Sequence, residues 1–186
     1  MWRLFFAIDF PPRIRERLAQ AQEDLRRRLP HKIRWVNPAQ IHLTLRFLGE
    51  TPEHRVEGLV SATTEALVDV VPFDVEVSDL GAFPDFRRPR VLWAGISEGA
   101  AALSRVHDRI EGVVRAAGWP PEKPFSPHVT LGRVKRLQGR GEIPSDIPSD
   151  FGRCRITELV LHRSTLTPTG PEYTPVARIP LASPSP

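Results

Sequence analysis

The amino-acid sequence contains one short phrase twice. His42-Leu43-Thr44-Leu45 lies in the apolar run Ile41–Glu50, and His128-Val129-Thr130-Leu131 lies in the run Pro127–Lys135. A β-strand sends residues i and i+2 to the same face, so each copy places an imidazole beside a hydroxyl with apolar side chains behind them. The second copy starts at position 128, 86 residues after the first at position 42. This distance suits two half-domains that each contribute one His-Thr pair to a shared cleft.

Two such pairs facing each other have the chemistry to act on a phosphate. The threonine hydroxyls and imidazoles would donate hydrogen bonds to its oxygens. One neutral histidine would take a proton from water, while the other, protonated, would give its proton to the leaving oxygen. No Asp or Glu lies beside either histidine to complete a metal-ligand set, so the pattern favours metal-independent chemistry.

Composition indicates an ordinary globular protein. The 186 residues suit one domain, with 40% hydrophobic and 26% charged residues, and the final segment 182–186 is expected to be disordered. The apolar run Leu4–Ile8 is shorter than a signal peptide requires, and no stretch approaches the ~20 apolar residues of a membrane span. We therefore expect a cytoplasmic protein without a membrane partner. Of the 26 basic residues, 23 are arginine, which favours an anionic partner.

Hydrophobic periodicity predicts the order β-α-β-β-α-β-β-α-β-β-β, with a loop over Gln138–Asp150. Helices do not alternate strictly with strands, so the fold class is α+β with mostly antiparallel sheets. The two motif strands occupy corresponding places in the first and second halves of the chain.

At this point the sequence resembles a known family, the two-histidine phosphoesterases, and within it the RNA 2′,3′-cyclic phosphodiesterases, historically called bacterial 2′-5′ RNA ligases. The resemblance is an ordered set of segments along nearly the whole chain: Arg3–Pro11, Trp35-Val36, Ile41–Glu50, Val91–Gly95, Phe125–Val134, Ser164–Leu166, Gly170-Pro171 and Tyr173.

The resemblance implies a single bilobal domain over residues 1–186. Two mostly antiparallel sheets would be related by pseudo-two-fold symmetry, with helices packed outside and the active-site groove between the lobes. It implies hydrolysis of an RNA 2′,3′-cyclic phosphate to a 2′-phosphate without a cofactor. A nucleoside 2′,3′-cyclic phosphate is a further expected substrate, and the protein is expected to be a monomer. His42 would be the proton donor to the departing 3′-oxygen and His128 the proton acceptor from water. Thr44 and Thr130 would hold the phosphate oxygens.

Two arginines are candidates for binding substrate. The resemblance suggests Arg133, although strict alternation would point it away from His128; a bulge at Gly132 would turn it back toward the groove. Arg46 is two residues beyond Thr44 and would share the strand face of His42 and Thr44, which makes it the alternative cation.

Two aromatic residues are further candidates. Phe5 and Phe6 lie on opposite faces of the first strand, so one of them would reach the cleft and stack on a base. The family pattern favours Phe6, whereas the alternation of Phe6 with Leu4 and Ile8 favours the core. Tyr173 either lines the groove or closes a hairpin. His162 lies in a late strand with no partner pattern, so no role is assigned to it.

Two other functions remain open on the residues alone. The same histidines would serve the reverse reaction, ATP-independent 2′-5′ joining of RNA ends, in which a 5′-hydroxyl replaces water. Alternatively, the His-Thr pairs would only grip a terminal phosphate in a non-catalytic RNA-end binding module.

Overall fold

Nine strands and three helices make up the computed structural model, which describes residues 1–138, 146–168 and 170–182. The strands are β1 (Trp2–Asp9), β2 (Lys32–Trp35), β3 (His42–Thr51), β4 (Phe73–Phe83), β5 (Val91–Glu98), β6 (Val129–Arg136), β7 (Asp150–Ile156), β8 (Glu158–Thr167) and β9 (Gly170–Pro180). The helices are α1 (Pro12–Arg28), α2 (Val56–Ala66) and α3 (Ala100–Ala116). The α+β class predicted from the sequence is confirmed.

The described strands form one curled antiparallel sheet in the order β7-β4-β5-β6-β3-β1-β8-β9, with β2 paired to β6. The motif strands β3 and β6 meet in the middle, where their register consists of one Cα pair, Leu43 opposite Val129. The sequence predicted two sheets, one in each half of the chain. The motif strands lie edge to edge, so this single pair joins the two halves into one sheet. The pseudo-two-fold relation between the halves stays a prediction.

The three helices share one hydrophobic core with one face of the sheet. Helix α1 contacts β6 and β7, whereas α2 and α3 contact each other and lie against β9 and β3, respectively. Leu43, Leu45, Val129 and Leu131 point into this core and are at most 2% exposed. Because the leucine and valine positions of both motifs face the helices, the histidine and threonine positions face the opposite, uncovered side of the sheet.

Strand β7 was not predicted, and the predicted loop over Gln138–Asp150 ends at the first residue of this strand. Its buried residues Phe151 and Cys154 are three apart, because Phe151 is an extra residue where the register with β4 shifts. That irregularity hides the two-residue period on which a strand prediction depends. The predicted disordered tail lies, except for Ala182, outside the described residues, as do residues 139–145 of the predicted loop.

Candidate active site

The repeated phrase places four polar side chains around the one registered pair between β3 and β6. In an antiparallel pair, the residues that flank Leu43 lie beside those that flank Val129. Each motif histidine is therefore next to the threonine of the other motif. Since Leu43 and Val129 are fully buried against the helices, all four polar side chains share the uncovered face, where they are half-buried. We call this face of the curled sheet the groove.

Both histidines are held in the same way. Nδ1 of His42 donates to the carbonyl of Gln40 over 2.7 Å, and Nδ1 of His128 donates to the carbonyl of Ser126 over 2.7 Å. A carbonyl oxygen only accepts, so the Nδ1 proton is fixed in each ring and Nε2 is the nitrogen left for proton transfer. Nε2 of His42 lies 3.0 Å from the hydroxyl of Thr44. Two imidazoles with the same carbonyl anchor and their Nε2 atoms available suit acid–base catalysis.

Aromatic rings surround His42. Phe5 lies beneath it with ring centroids 5.0 Å apart, and Tyr173 meets it edge-on at 5.2 Å and 88°. Burial lowers the pKa of His42 below its ordinary value of 6.5, and the charge of His162 adds to this effect. The hydrogen bond to Gln40 and the charge of Asp9 act in the opposite direction.

His162 also lies at this end of the groove, beside His42, although no role was assigned to it from the sequence. His162 is 6% exposed, stacks on Phe5 at 5.3 Å and lies 6.4 Å from His42 between ring centroids. Its Nε2 donates to Asp9 over 2.9 Å, and Asp9 is the cross-strand partner of His42. Burial acts to raise the pKa of Asp9, but the hydrogen bond from His162 and nearby cationic groups outweigh it and lower the pKa.

His128 lies against the aromatic residues of the other half. Its ring meets Phe83 edge-on at 5.0 Å, and Phe83 in turn lies 5.1 Å from Trp93. The Trp93 ring covers Gly81, where a Cβ would come within 2.1 Å of the indole, so only glycine leaves room for it. Burial lowers the pKa of His128 below 6.5, and the charge of Arg133 lowers it further, while the hydrogen bond to Ser126 raises it.

The expectation that Phe6 stacks on substrate is wrong. Phe6 alternates with Leu4 and Ile8 in β1 and is 0% exposed in the core with the helices. Its neighbour Phe5 points the other way and supplies the aromatic surface under His42. At this position the alternation of side chains along the strand therefore predicted the structure better than the family pattern did.

The expectation that Arg46 faces the groove is also wrong, because β3 carries a bulge. The register pairs Ala7 with Thr44 and Phe6 with Arg46, so Leu45 is an extra residue and alternation reverses after it. Arg46 turns to the helix side.

There the Arg46 side chain is 4% exposed. Its Nε pairs with Glu111 at 2.5 Å, and its Nη atoms donate to the carbonyls of Phe47 and Pro120 at 2.6 Å each. These contacts tie β3 to the C-terminal half of α3 and to the segment that follows it.

Strand β6 carries a matching bulge, which settles the direction of Arg133. The register with β5 pairs Thr130 and Gly132 with consecutive residues, so Leu131 is the extra residue. Arg133 then shares the groove face with Thr130. Its charge adds to the burial that lowers the pKa of His128 and acts against the burial that raises the pKa of Tyr173. The sequence suggested a bulge at Gly132; in the structure the bulge is one residue earlier, at Leu131. Contact of Arg133 or Tyr173 with substrate stays a prediction.

Two negative observations concern the described residues 1–138, 146–168 and 170–182. No group of three or more His, Cys, Asp or Glu side chains is arranged there to hold a metal ion. None of the helices there has the length and apolar character to span a membrane.

Comparison with known proteins gives consistent matches. Residues 8–93 and 95–173 match the family model of the LigT-like phosphoesterases. The RNA 2′,3′-cyclic phosphodiesterase of Methanothermobacter thermautotrophicus is 30% identical, with 92% of this chain and 95% of that protein aligned. The one from Thermus thermophilus is 36% identical over 92% and 86% of the two chains. The crystal structure of E. coli LigT with 3′-AMP superposes with a TM-score of 0.82 at 28% identity, covering 98% of this chain and 99% of that one.

Proposed function

The chain belongs to the LigT-like phosphoesterases, and we propose that it hydrolyses the 2′,3′-cyclic phosphate at the end of an RNA to a 2′-phosphate. The observation that carries the proposal is the pair of equivalent imidazoles on one sheet face, each with Nδ1 anchored to a carbonyl and Nε2 available. That E. coli LigT binds 3′-AMP and phosphate supports a nucleotide phosphate as the ligand of this groove.

In the proposed reaction, the cyclic phosphate lies between the two His-Thr pairs. His128 Nε2 takes a proton from water as its oxygen bonds to phosphorus. The bond from phosphorus to the 3′-oxygen breaks, and His42 Nε2–H gives its proton to that oxygen. Thr44 and Thr130 donate hydrogen bonds to the non-bridging oxygens. The phosphate keeps its bond to the 2′-oxygen, and each proton transfer contributes about 10²–10⁴-fold.

The electrostatic surroundings support unequal roles for the histidines. Burial lowers the pKa of both histidines; the charge of Arg133 lowers that of His128 further, which suits a base, whereas at His42 the hydrogen bond to Gln40 and the charge of Asp9 act against burial and the charge of His162, which suits an acid. Because both histidines come from one chain and the two halves share the core, we further infer that one molecule forms the whole site. The enzyme is then a single bilobal domain acting as a monomer in the cytoplasm.

The test is an assay with an oligonucleotide that ends in a 2′,3′-cyclic phosphate, run in EDTA with identification of the product. We expect a 2′-phosphate. His42→Ala and His128→Ala should each remove nearly all turnover, whereas His54→Ala, at an exposed position on another face, should retain it. No hydrolysis would refute the proposal, and a 3′-phosphate as the sole product would refute the acid–base assignment.

A further inference from the structure

The two-stranded ribbon formed by β2 and β6 carries basic side chains opposite one another. Arg34 is the cross-strand partner of Arg133, and Lys32 is the partner of Arg136. The intervening residues of β2 lie on the same face as Gly132, since a Cβ there would lie 2.7 Å from Ile33 and 3.0 Å from Trp35. That face is the helix side, because Arg26 of α1 lies over the Trp35 ring at 5.6 Å. The four cations therefore share the other face, which is the face of the groove. We call Lys32, Arg34, Arg133 and Arg136 the basic stripe.

No carboxylate balances this stripe in the part of the chain that the structure describes. All four side chains are exposed, and none makes an ion pair there, whereas other exposed arginines such as Arg28 and Arg178 pair with acids. Like charges directly opposite each other on neighbouring strands destabilise a sheet. Two such pairs in succession are an unfavourable arrangement for the isolated protein, and an anionic ligand would relieve it.

The stripe is continuous with the proposed active site. Arg133 lies at its inner end, near His128 and Tyr173. Arg34 also lies close to Tyr173, and its Nη2 would be 2.9 Å from a Cβ on Gly170, at the start of the strand that carries this tyrosine. From there the stripe runs along the ribbon to Lys32 and Arg136. A ligand whose end occupies the groove would meet the stripe next.

We propose that the basic stripe binds the phosphate backbone of single-stranded RNA upstream of its cyclic end. The inference rests on the proposed function and deepens it, because it makes oligonucleotides, rather than cyclic mononucleotides, the preferred substrates. Lys32 and Arg34 are two residues apart on β2 and therefore spaced by roughly 6.6–6.8 Å. Their partners Arg136 and Arg133 lie opposite them because the register shifts between Lys32 and Ile33, so the stripe presents two successive pairs of cations to an extended chain. Guanidinium groups match phosphate oxygens through paired hydrogen bonds.

The experiment compares two substrates at several salt concentrations: a cyclic mononucleotide and a hexanucleotide with a 2′,3′-cyclic phosphate end. The test variant is Arg34→Ala/Arg136→Ala, which leaves Arg133 in place. Its matched control is Arg105→Ala/Arg115→Ala, which removes two exposed cations from α3 on the far side of the sheet. Binding of the hexanucleotide product is measured separately by fluorescence anisotropy, so that the stripe is tested independently of turnover.

We expect the wild-type kcat/KM to favour the hexanucleotide and the stripe variant to lose most of that advantage through KM. Two lost phosphate contacts should lower the salt slope by about 1.4, so between 50 and 200 mM salt the wild type should lose about sevenfold more affinity than the variant. Turnover of the mononucleotide should stay unchanged. The control variant should behave like the wild type with both substrates.

Several outcomes would overturn the stripe proposal. These are equal efficiency of the wild type on both substrates, equal losses of the stripe variant on both substrates, or equal losses in the stripe and control variants. Displacement of the RNA by a polyglutamate peptide of the same charge at the same concentration would also overturn it, since the stripe would then be a general acidic-ligand surface. Failure of the wild type to hydrolyse either substrate would instead count against the proposed function, and the anisotropy measurement would still test the stripe.

Discussion

Replacement of Arg46 by methionine tests whether this motif residue serves the fold rather than the groove. The side chain is 4% exposed, and its partner Glu111 is 18% exposed. Removal of one partner from a buried ion pair costs about 3–5 kcal/mol. The residual exposure of Glu111 favours the lower end, so we expect a loss of about 3 kcal/mol in the free energy of unfolding. For a chain of this size, this corresponds to a Tm lower by about 6–12 °C.

The assay combines urea and thermal unfolding with turnover measured well below the transition. Arg46→Met should keep its kcat/KM for the cyclic phosphate, because the guanidinium lies on the helix side of the sheet. The double variant Arg46→Met/Glu111→Leu should be more stable than Arg46→Met, since it removes the more buried of the two carboxylates that Arg46 pairs with; the other, Glu122 at 3.4 Å, is 36% exposed and can be solvated. Arg26→Met is the control: its pair with Glu23 is half exposed, so it should cost no more than about 1 kcal/mol.

The opposite pattern would refute this reasoning. If Arg46→Met unfolds at the same temperature as the wild type but loses more than tenfold in kcat/KM, the guanidinium acts on substrate. Arg46 would then face the groove, and the reversal of side-chain alternation after Leu45 would be wrong.

The remaining predictions concern the second half of the site. The pKa of both histidines lies below 6.5, so kcat/KM should follow a bell-shaped pH profile centred on the acid side of that value. Arg133→Gln removes a cation that lowers the pKa of His128. The acidic limb of the profile reports deprotonation of the base, so it should move to higher pH in this variant. An unmoved acidic limb would contradict the assignment of His128 as the base. Gly81→Ala forces the Trp93 ring to move, so we expect about 1–3 kcal/mol lower stability together with weaker activity in thermal and kinetic assays. Gly112→Ala is the control: Gly112 lies in α3 with open space around it, so this substitution should raise stability by about 0.8–1 kcal/mol. If Gly81→Ala were also more stable than the wild type, the packing of Trp93 on Gly81 would be wrong.

The His-Thr pairs could be predicted from the sequence because their geometry spans only two residues of one strand. Alternation fixes which side chains share a face over such a short distance. Beyond each threonine the prediction loses its basis, because an extra residue at Leu45 or Leu131 reverses the alternation. Arg46 was therefore assigned to the wrong face, and the direction of Arg133 stayed open.

His162 could not be found by any local pattern. Its hydrogen-bond partner Asp9 is 153 residues away in sequence, and the two meet only because β8 pairs with β1. Neither residue belongs to a motif. Strand β7 was missed for a related reason, since the irregularity at Phe151 interrupts the two-residue period. What the sequence leaves undetermined here is the pairing between distant strands and the position of single extra residues within them.

The paired bulges also give the cleft a direction. In each half, the third residue after the motif threonine is the one that returns to the groove: Phe47 in the first half and Arg133 in the second. One wall therefore offers an aromatic ring beside Phe5, and the other offers a cation beside His128. A nucleic-acid strand has two chemically different ends, and a cleft with identical walls would admit it equally well in either sense. A difference at one equivalent position gives the strand a single preferred sense of entry.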